Sequence, residues 1–234
     1  MNWNQFFFVI FPYIAITIFI VATVYRSVFR PFTLSSLSSQ LLERKYLYWG
    51  NVPFHYGILF VLLGHLLAML FPRGLMIWNS IPIRLYLLEL TGFLMGLWSL
   101  AGITILIWRR IRSANIRAVT QPTDMLVLFL LFASILTGAF TAVTYRFGSL
   151  WFTGAFTPYL WSILLLQPRP DLIAPLPSLI QFHALNFFVL LAIFPFTRLI
   201  HIITMPLDYL FRPWQIVIAM RNRREAAQIS NNES

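Results

Sequence analysis

FHYGILFVLLGHLLAMLFP, residues 54–72, decides the fold. It contains most of an uninterrupted apolar run, Pro53–Phe71, whose only histidines are His55 and His65. A helix needs about 20 such residues to cross the hydrocarbon core of a bilayer. Four more stretches meet that requirement: Phe6–Tyr25, Leu85–Trp108, Met125–Val143 and Leu179–Ile203. Pro12 interrupts the first, which a membrane helix tolerates. Phe6–Tyr25 is not preceded by a charged n-region or followed by a small-residue cleavage site, so it is expected to stay as an anchor. Composition agrees: the 234 residues are 59% hydrophobic and 10% charged, with a mean hydropathy of +0.76. A soluble domain carries about 25% charged residues, so a soluble enzyme is excluded. The absence of cysteine excludes disulfides, thiolate-held zinc and Cys-ligated iron–sulfur clusters.

The charge pattern orients the spans. A net charge of +10 would suggest nucleic acid in a soluble chain, but here the basic residues lie between apolar runs and none is expected to bind nucleic acid. With five crossings, Arg26, Arg30, Arg44, Lys45, Arg109, Arg110, Arg112, Arg117, Arg212, Arg221, Arg223 and Arg224 share one side. Arg73, Arg84, Arg146 and Arg169 take the other, and Arg198 falls inside the fifth span. The richer side is cytoplasmic, which places the N-terminus outside and the C-terminus in the cytoplasm. A sixth apolar run, Leu150–Leu166, contains Gly154, Pro158, Trp151, Tyr159 and Trp161 and is expected to lie along the outer interface. Residues 26–52 then form a cytoplasmic loop and 167–178 a Pro-rich outer loop. LDYLFRPWQIVIAM (207–220) reads as an interfacial helix ahead of a polar tail. The expected architecture is all-α, a membrane domain over 1–205 and a cytoplasmic docking tail over 206–234.

The four histidines carry the chemistry. His55 and His65 lie in the second span, His183 and His201 in the fifth, and intramembrane ionisable groups point to function. The two spans run in opposite directions, so His55 is level with His201 near the cytoplasmic side, and His65 with His183 near the outer side. Two cross-helix imidazole pairs at two depths suit two bis-histidine haems b. The ten-residue spacing separates His55 and His65 by roughly 15 Å, and the eighteen-residue spacing separates His183 and His201 by roughly 27 Å. The two separations do not match, so either the haem planes tilt or the fifth span bends, as Pro195 invites. Eighteen residues is five turns, which puts His183 and His201 on one face. The His55–His65 spacing falls about 80° out of register. Gly57, Gly64, Gly92, Gly96 and Gly102 are small enough to admit a flat macrocycle or to serve ordinary helix packing. Arg198, Arg109 and Arg110 are candidates to pair haem propionates.

Several segments resemble the gamma, or cytochrome b, subunit of membrane-bound respiratory nitrate reductase. They are FFFVIFPYIA (6–15), SSQLLERK (38–45), FHYGILFVLLGHLLAMLFP (54–72), IRAVTQPTDMLVL (116–128) and FPFTRLIHIITMPLDYL (194–210). The resemblance implies an outer haem b on His65 and His183 and an inner haem b on His55 and His201. It implies oxidation of a quinol, menaquinol or ubiquinol, near the outer face. Electrons would pass from outer to inner haem, then to an iron–sulfur (beta) and a molybdenum (alpha) subunit on the cytoplasmic side of a prokaryotic inner membrane.

The chain departs from that pattern at PIRLYLLEL (82–90), where Tyr86 stands in place of a lysine associated with quinol binding. Gln181 likewise stands where a basic residue often precedes the outer ligand. The quinol site is therefore expected to be remade, with Glu89 taking the proton and Arg84 or Tyr86 holding the ring oxygen. The competing role for Glu89 is to reach the outer surface or pair with Arg84. Other readings of the chain are the cytochrome b anchor of another quinone-linked complex, a His-based metal transporter, and a structural scaffold. A transporter would cluster His and carboxylates at one depth, which two separate depths do not do.

Overall fold

The computed structural model describes residues 3–29, 45–200 and 202–203. His201, the 30–44 connection and the segments expected as interfacial helix and tail lie outside the described residues. So does the expected division between residues 205 and 206. One compact unit, Met1–His201, holds every helix discussed below. Its five long apolar helices are α1 (Trp3–Phe29), α2 (Tyr46–Leu70), α3 (Pro82–Arg112), α4 (Pro122–Thr144) and α5 (Ser178–Phe196). No strand occurs among the described residues. The protein is thus an all-α integral membrane protein. At 1.5 Å per residue α5 spans about 28 Å, close to the hydrocarbon thickness, whereas α3 reaches about 46 Å. The excess on α3 carries Arg109, Arg110 and Arg112 beyond the apolar core. Apolar side chains on the outward faces, such as Ile20, Val21, Leu59, Leu62, Leu63 and Leu66, are exposed to lipid.

Two boundaries differ from the sequence reading. Helix α1 continues through Arg26 to Phe29, and the helix containing α2 begins at Lys45 and runs through Pro53. The cytoplasmic connection is correspondingly shorter than 26–52. Helix α5 is α-helical only over Ser178–Ile193 and tightens into a 3-10 turn over Phe194–Phe196. Thr197 is then extended, with φ −118° and ψ 174°, so the expected continuous helix to Ile203 is corrected here. Pro195 is the cause: it has no N–H for the Leu191 carbonyl, and its ring crowds the preceding turn. Thr197 seals the break, donating its hydroxyl hydrogen to the Phe194 carbonyl at 2.9 Å and accepting from Leu199 N–H at 3.3 Å. With the helix broken, five regular turns no longer connect His183 to position 201.

The helices pack in the lateral order α1–α5–α4–α3–α2. Glycines set the α2–α3 approach: a Cβ on Gly102 would lie 2.4 Å from Phe54 N, and one on Gly57 2.5 Å from the Met95 carbonyl. Gly57 and Gly102 are therefore packing residues rather than the lining of a macrocycle. Beyond them a Cβ on Gly64, Gly92 or Gly96 would meet nothing within 4 Å.

The run expected along the outer interface is helical over 148–164, with a π-helical turn at Phe152–Phe156. It grips the outer ends of two helices, α2 and α1. Thr157 Oγ1 donates to the Ala68 carbonyl at 3.3 Å, and Trp161 Nε1 to the Met69 carbonyl at 3.1 Å. Tyr159 Oη donates to the Phe8 carbonyl at 2.9 Å. That carbonyl is the acceptor the helix would give to residue 12, which is a proline without an N–H. Burial pushes the Tyr159 phenol above its ordinary range, so the group remains a donor. Phe8, Ala15, Phe156, Tyr159, Ala184 and Phe188 form the core of this outer layer.

Gly102→Ala should lower stability by about 1–3 kcal/mol, because backbone rather than a flexible side chain blocks the new methyl. Thermal unfolding in detergent checks it, with Gly74→Ala as the near-neutral control, since its nearest atom is 3.8 Å away.

Candidate functional site

Each described histidine has one ring nitrogen committed. His55 Nδ1 lies 2.9 Å from the Asn51 carbonyl and His65 Nδ1 lies 2.8 Å from the Val61 carbonyl, one turn back on the same helix. A carbonyl only accepts, so Nδ1 carries the proton and Nε2 keeps its lone pair. His183 reaches the same state across helices. Thr137 Oγ1 donates its hydrogen to the Ala133 carbonyl at 2.7 Å and accepts from His183 Nδ1 at 3.0 Å. A Cβ on Gly138 would stand 3.2 Å from His183 Cε1, so glycine there lets the ring lie close to α4. Three residues on, Asn186 donates to the Leu130 carbonyl at 2.9 Å and to Ser134 Oγ at 2.6 Å, fixing the α4–α5 register.

His65 on α2 and His183 on α5 are both reached by the outer layer, where Tyr159 packs edge-on to Phe188, five residues beyond His183. Phe152 stands edge-on to the His65 ring at 5.0 Å. Neutral imidazoles with Nδ1–H donated, and Nε2 taken up by none of the described residues, are the donor set that a transition-metal centre takes. A Cβ on Gly64, Gly92, Gly96 or Gly154 would meet nothing within 4 Å, so these positions leave room beside their helices. Residues and proposed cofactor therefore fit. Among the described residues no three His, Asp or Glu side chains cluster as ligands for a naked metal ion, as a transporter at one depth would require.

On the cytoplasmic side the expected propionate partners meet a carboxylate instead. Arg198 Nε lies 3.0 Å from Asp124 Oδ1, and Arg110 Nη1 lies 3.7 Å from Asp124 Oδ2. Asp124 is 7% exposed and sits in the first turn of α4, where it also accepts from Gln121 N–H at 3.2 Å in a capping box. Arg109 is buried. Arg26, from α1, donates to the Pro195 carbonyl freed by the break in α5. The sequence reading missed Asp124 because it began the fourth span one residue later. QPTD at 121–124 was the available signal of a helix start.

On the outer side the three candidates separate. Arg84 stacks on Trp78, 5.0 Å from the ring centroid, and Tyr86 packs edge-on to Phe147 at 5.9 Å. Glu89 pairs with neither. Its Oε1 accepts from Ser149 N–H at 2.8 Å and from Ser149 Oγ–H at 2.7 Å. Ser149 Oγ accepts in turn from Asn79 Nδ2 at 2.8 Å. Asn79 Oδ1 and Trp151 Nε1 are buried with no partner among the described residues. Gln181 is a fastener, donating to the Ala174 and Leu176 carbonyls at 3.0 and 2.8 Å and so holding the Pro-rich loop to α5.

Thr137→Val removes the acceptor for His183 Nδ1–H while keeping shape. It should weaken retention of a metal centre about 10- to 100-fold, read as iron per purified chain after dialysis.

The family model described as "Nitrate reductase gamma subunit" matches residues 4–220. The chain is 34% identical over 211 residues to the nitrate reductase gamma chain of Bacillus subtilis, covering 88% of this chain and 94% of that protein. It is 32% identical over 222 residues to the respiratory nitrate reductase 1 gamma chain of Escherichia coli, covering 92% and 97%. It is 33% identical to the nitrate reductase-like protein NarX of Mycobacterium tuberculosis, covering 95% of this chain and 34% of that longer one.

Proposed function

Because the chain belongs to the nitrate reductase gamma subunit family, and is thus a multi-pass membrane subunit of a prokaryotic oxidoreductase complex, we propose that it is the dihaem cytochrome b subunit that oxidises quinol for that complex. The observation that carries this reading is the common state of His55, His65 and His183, each with Nδ1–H donated and Nε2 left for iron. His65 with His183 would hold the outer haem b, and His55 with His201 the inner one. When bound there, haem b supplies one-electron carriers at two depths of the membrane, linking the quinone pool to iron–sulfur and molybdenum subunits in the cytoplasm.

The protein's own residues set the rest. Asn51, Val61 and Thr137 fix the imidazole tautomers, and Phe152 packs edge-on against His65. Asp124 holds Arg198 and Arg110 at the cytoplasmic end, where with Arg109 they would meet the inner propionates and offset their charge. At the outer end Glu89 would accept a quinol proton, with Tyr86 and Arg84 on the same helix as candidates to hold the ring oxygen. Menaquinol and ubiquinol both suit this chemistry. A related complex acting on a different oxyanion would use the same membrane chemistry, because the gamma subunit meets only quinol and partner.

A reduced-minus-oxidised visible spectrum of the purified subunit should give two haems b per chain. His65→Ala and His183→Ala should each lose the same one, and His55→Ala and His201→Ala the other. Absence of haem, or four independent effects, would overturn the reading.

A further inference from the structure

Glu89 is tied into a hydrogen-bond chain drawn from three separate elements. Glu89 comes from α3, Ser149 from the first turn of the 148–164 helix, and Asn79 from the connection that follows Pro72–Trp78. The direction of the chain is set by chemistry: Asn79 Nδ2–H donates to Ser149 Oγ, and Ser149 Oγ–H donates to Glu89 Oε1. A cap on the 148–164 helix would need only the Ser149 N–H contact. It does not call for Asn79, which is 6% exposed and keeps its amide oxygen buried with no donor among the described residues. An orphaned buried acceptor is destabilising, so its retention beside a carboxylate asks for a use.

The use is reversibility. When Glu89 is ionised, the chain presents it with a hydroxyl donor. When Glu89 is protonated, its O–H can donate to Ser149 Oγ, whose hydrogen then turns to Asn79 Oδ1 once the amide has rotated by half a turn. The atom that is orphaned in the first arrangement is the acceptor in the second. Both charge states of Glu89 are therefore held by the same three side chains, without rebuilding the fold. The chain also stands close to the redox side of the protein, since Phe152, three residues beyond Ser149, packs on the His65 ring.

We propose that Ser149 and Asn79 are positioning residues that let Glu89 take a proton from a hydroquinone hydroxyl and release it at the outer surface. This rests on the quinol-oxidising reading above. In the step, the hydroquinone O–H breaks and an O–H forms on Glu89 Oε2, which accepts no hydrogen bond from the described residues, and half a turn of the carboxyl about its Cγ–Cδ bond then brings that O–H to Ser149 Oγ. The electron that leaves the ring with that proton would be taken by haem b, the one-electron acceptor proposed above. Glu89 then loses its proton to water outside, and a second round removes the remaining proton and electron. Two protons and two electrons leave per hydroquinone oxidised.

The test is stopped-flow reduction of haem b by menadiol in the intact complex, in H₂O and D₂O, with dithionite giving the total reducible haem. Glu89→Gln should slow menadiol-driven reduction about 100-fold, and Ser149→Ala and Asn79→Leu about tenfold, with haem content unchanged. Ser149→Ala and Asn79→Leu should also raise the solvent isotope effect and shift the infrared band of the Glu89 carboxyl. Ser149→Thr, which keeps the hydroxyl, should restore most of the rate. Wild-type rates and an unshifted band in Ser149→Ala and Asn79→Leu, with Glu89→Gln still slow, would overturn the positioning role and leave Glu89 as acceptor. Wild-type rates in Glu89→Gln would overturn that reading and the positioning role with it.

Discussion

A polar group inside a bilayer has no water to fall back on, so each one must find its partner within the protein. That constraint shapes the helix breaks and the histidines alike. Pro12 leaves the Phe8 carbonyl without its helical donor, and Tyr159 supplies one from the outer helix. Pro195 breaks α5, and Arg26 crosses from α1 to the carbonyl that the break exposes. The same demand acts on imidazole. His55 and His65 give Nδ1–H to carbonyls of their own helix, and His183 gives its own to Thr137 on the neighbouring one. What remains in each case is a nitrogen with a free lone pair facing away from its own partner, which is the form that iron binds.

The two ends of the bundle use charge differently. At the cytoplasmic end Asp124 gathers Arg110 from α3 and Arg198 from the turn beyond α5, so one buried carboxylate joins three segments. Removing one member of such a group leaves buried charge uncompensated. At the outer end the carboxylate of Glu89 meets hydroxyl and amide groups instead of a cation, and Arg84 is taken up by Trp78. A carboxylate held by neutral donors can change its protonation state without abandoning an ion pair. That contrast fits a cytoplasmic end built to hold fixed charge and an outer end built to pass protons.

Much of this was legible in residue order, and what was not has a common cause. Hydropathy located all five helices, because a lipid-facing stretch needs no tertiary partner to be recognised. The outer placement of 150–166 followed from its aromatic residues and from the side on which arginine was scarce. Pro195 announced a bend, but the break itself falls at Thr197, where a hydroxyl could reseal the turn. Gly57 and Gly102 could not be told from Gly64, Gly92 and Gly96 by type, since only the approach of Met95 and Phe54 separates packed from open positions. Thr137, Ser149 and Asn79 escaped notice for the same reason: each acts on a residue at least 46 positions away along the chain.

The proposed pairing of His65 with His183 through their Nε2 atoms would join α2 to α5 at the outer depth. A cryo-electron microscopy map of the purified complex in a lipid nanodisc would test it most directly. The account predicts one haem iron at the outer depth with His65 Nε2 and His183 Nε2 as its axial ligands, and Nδ1 of each still on Val61 and Thr137. An iron bound through either Nδ1, or a haem that takes only one of these two histidines, would contradict it.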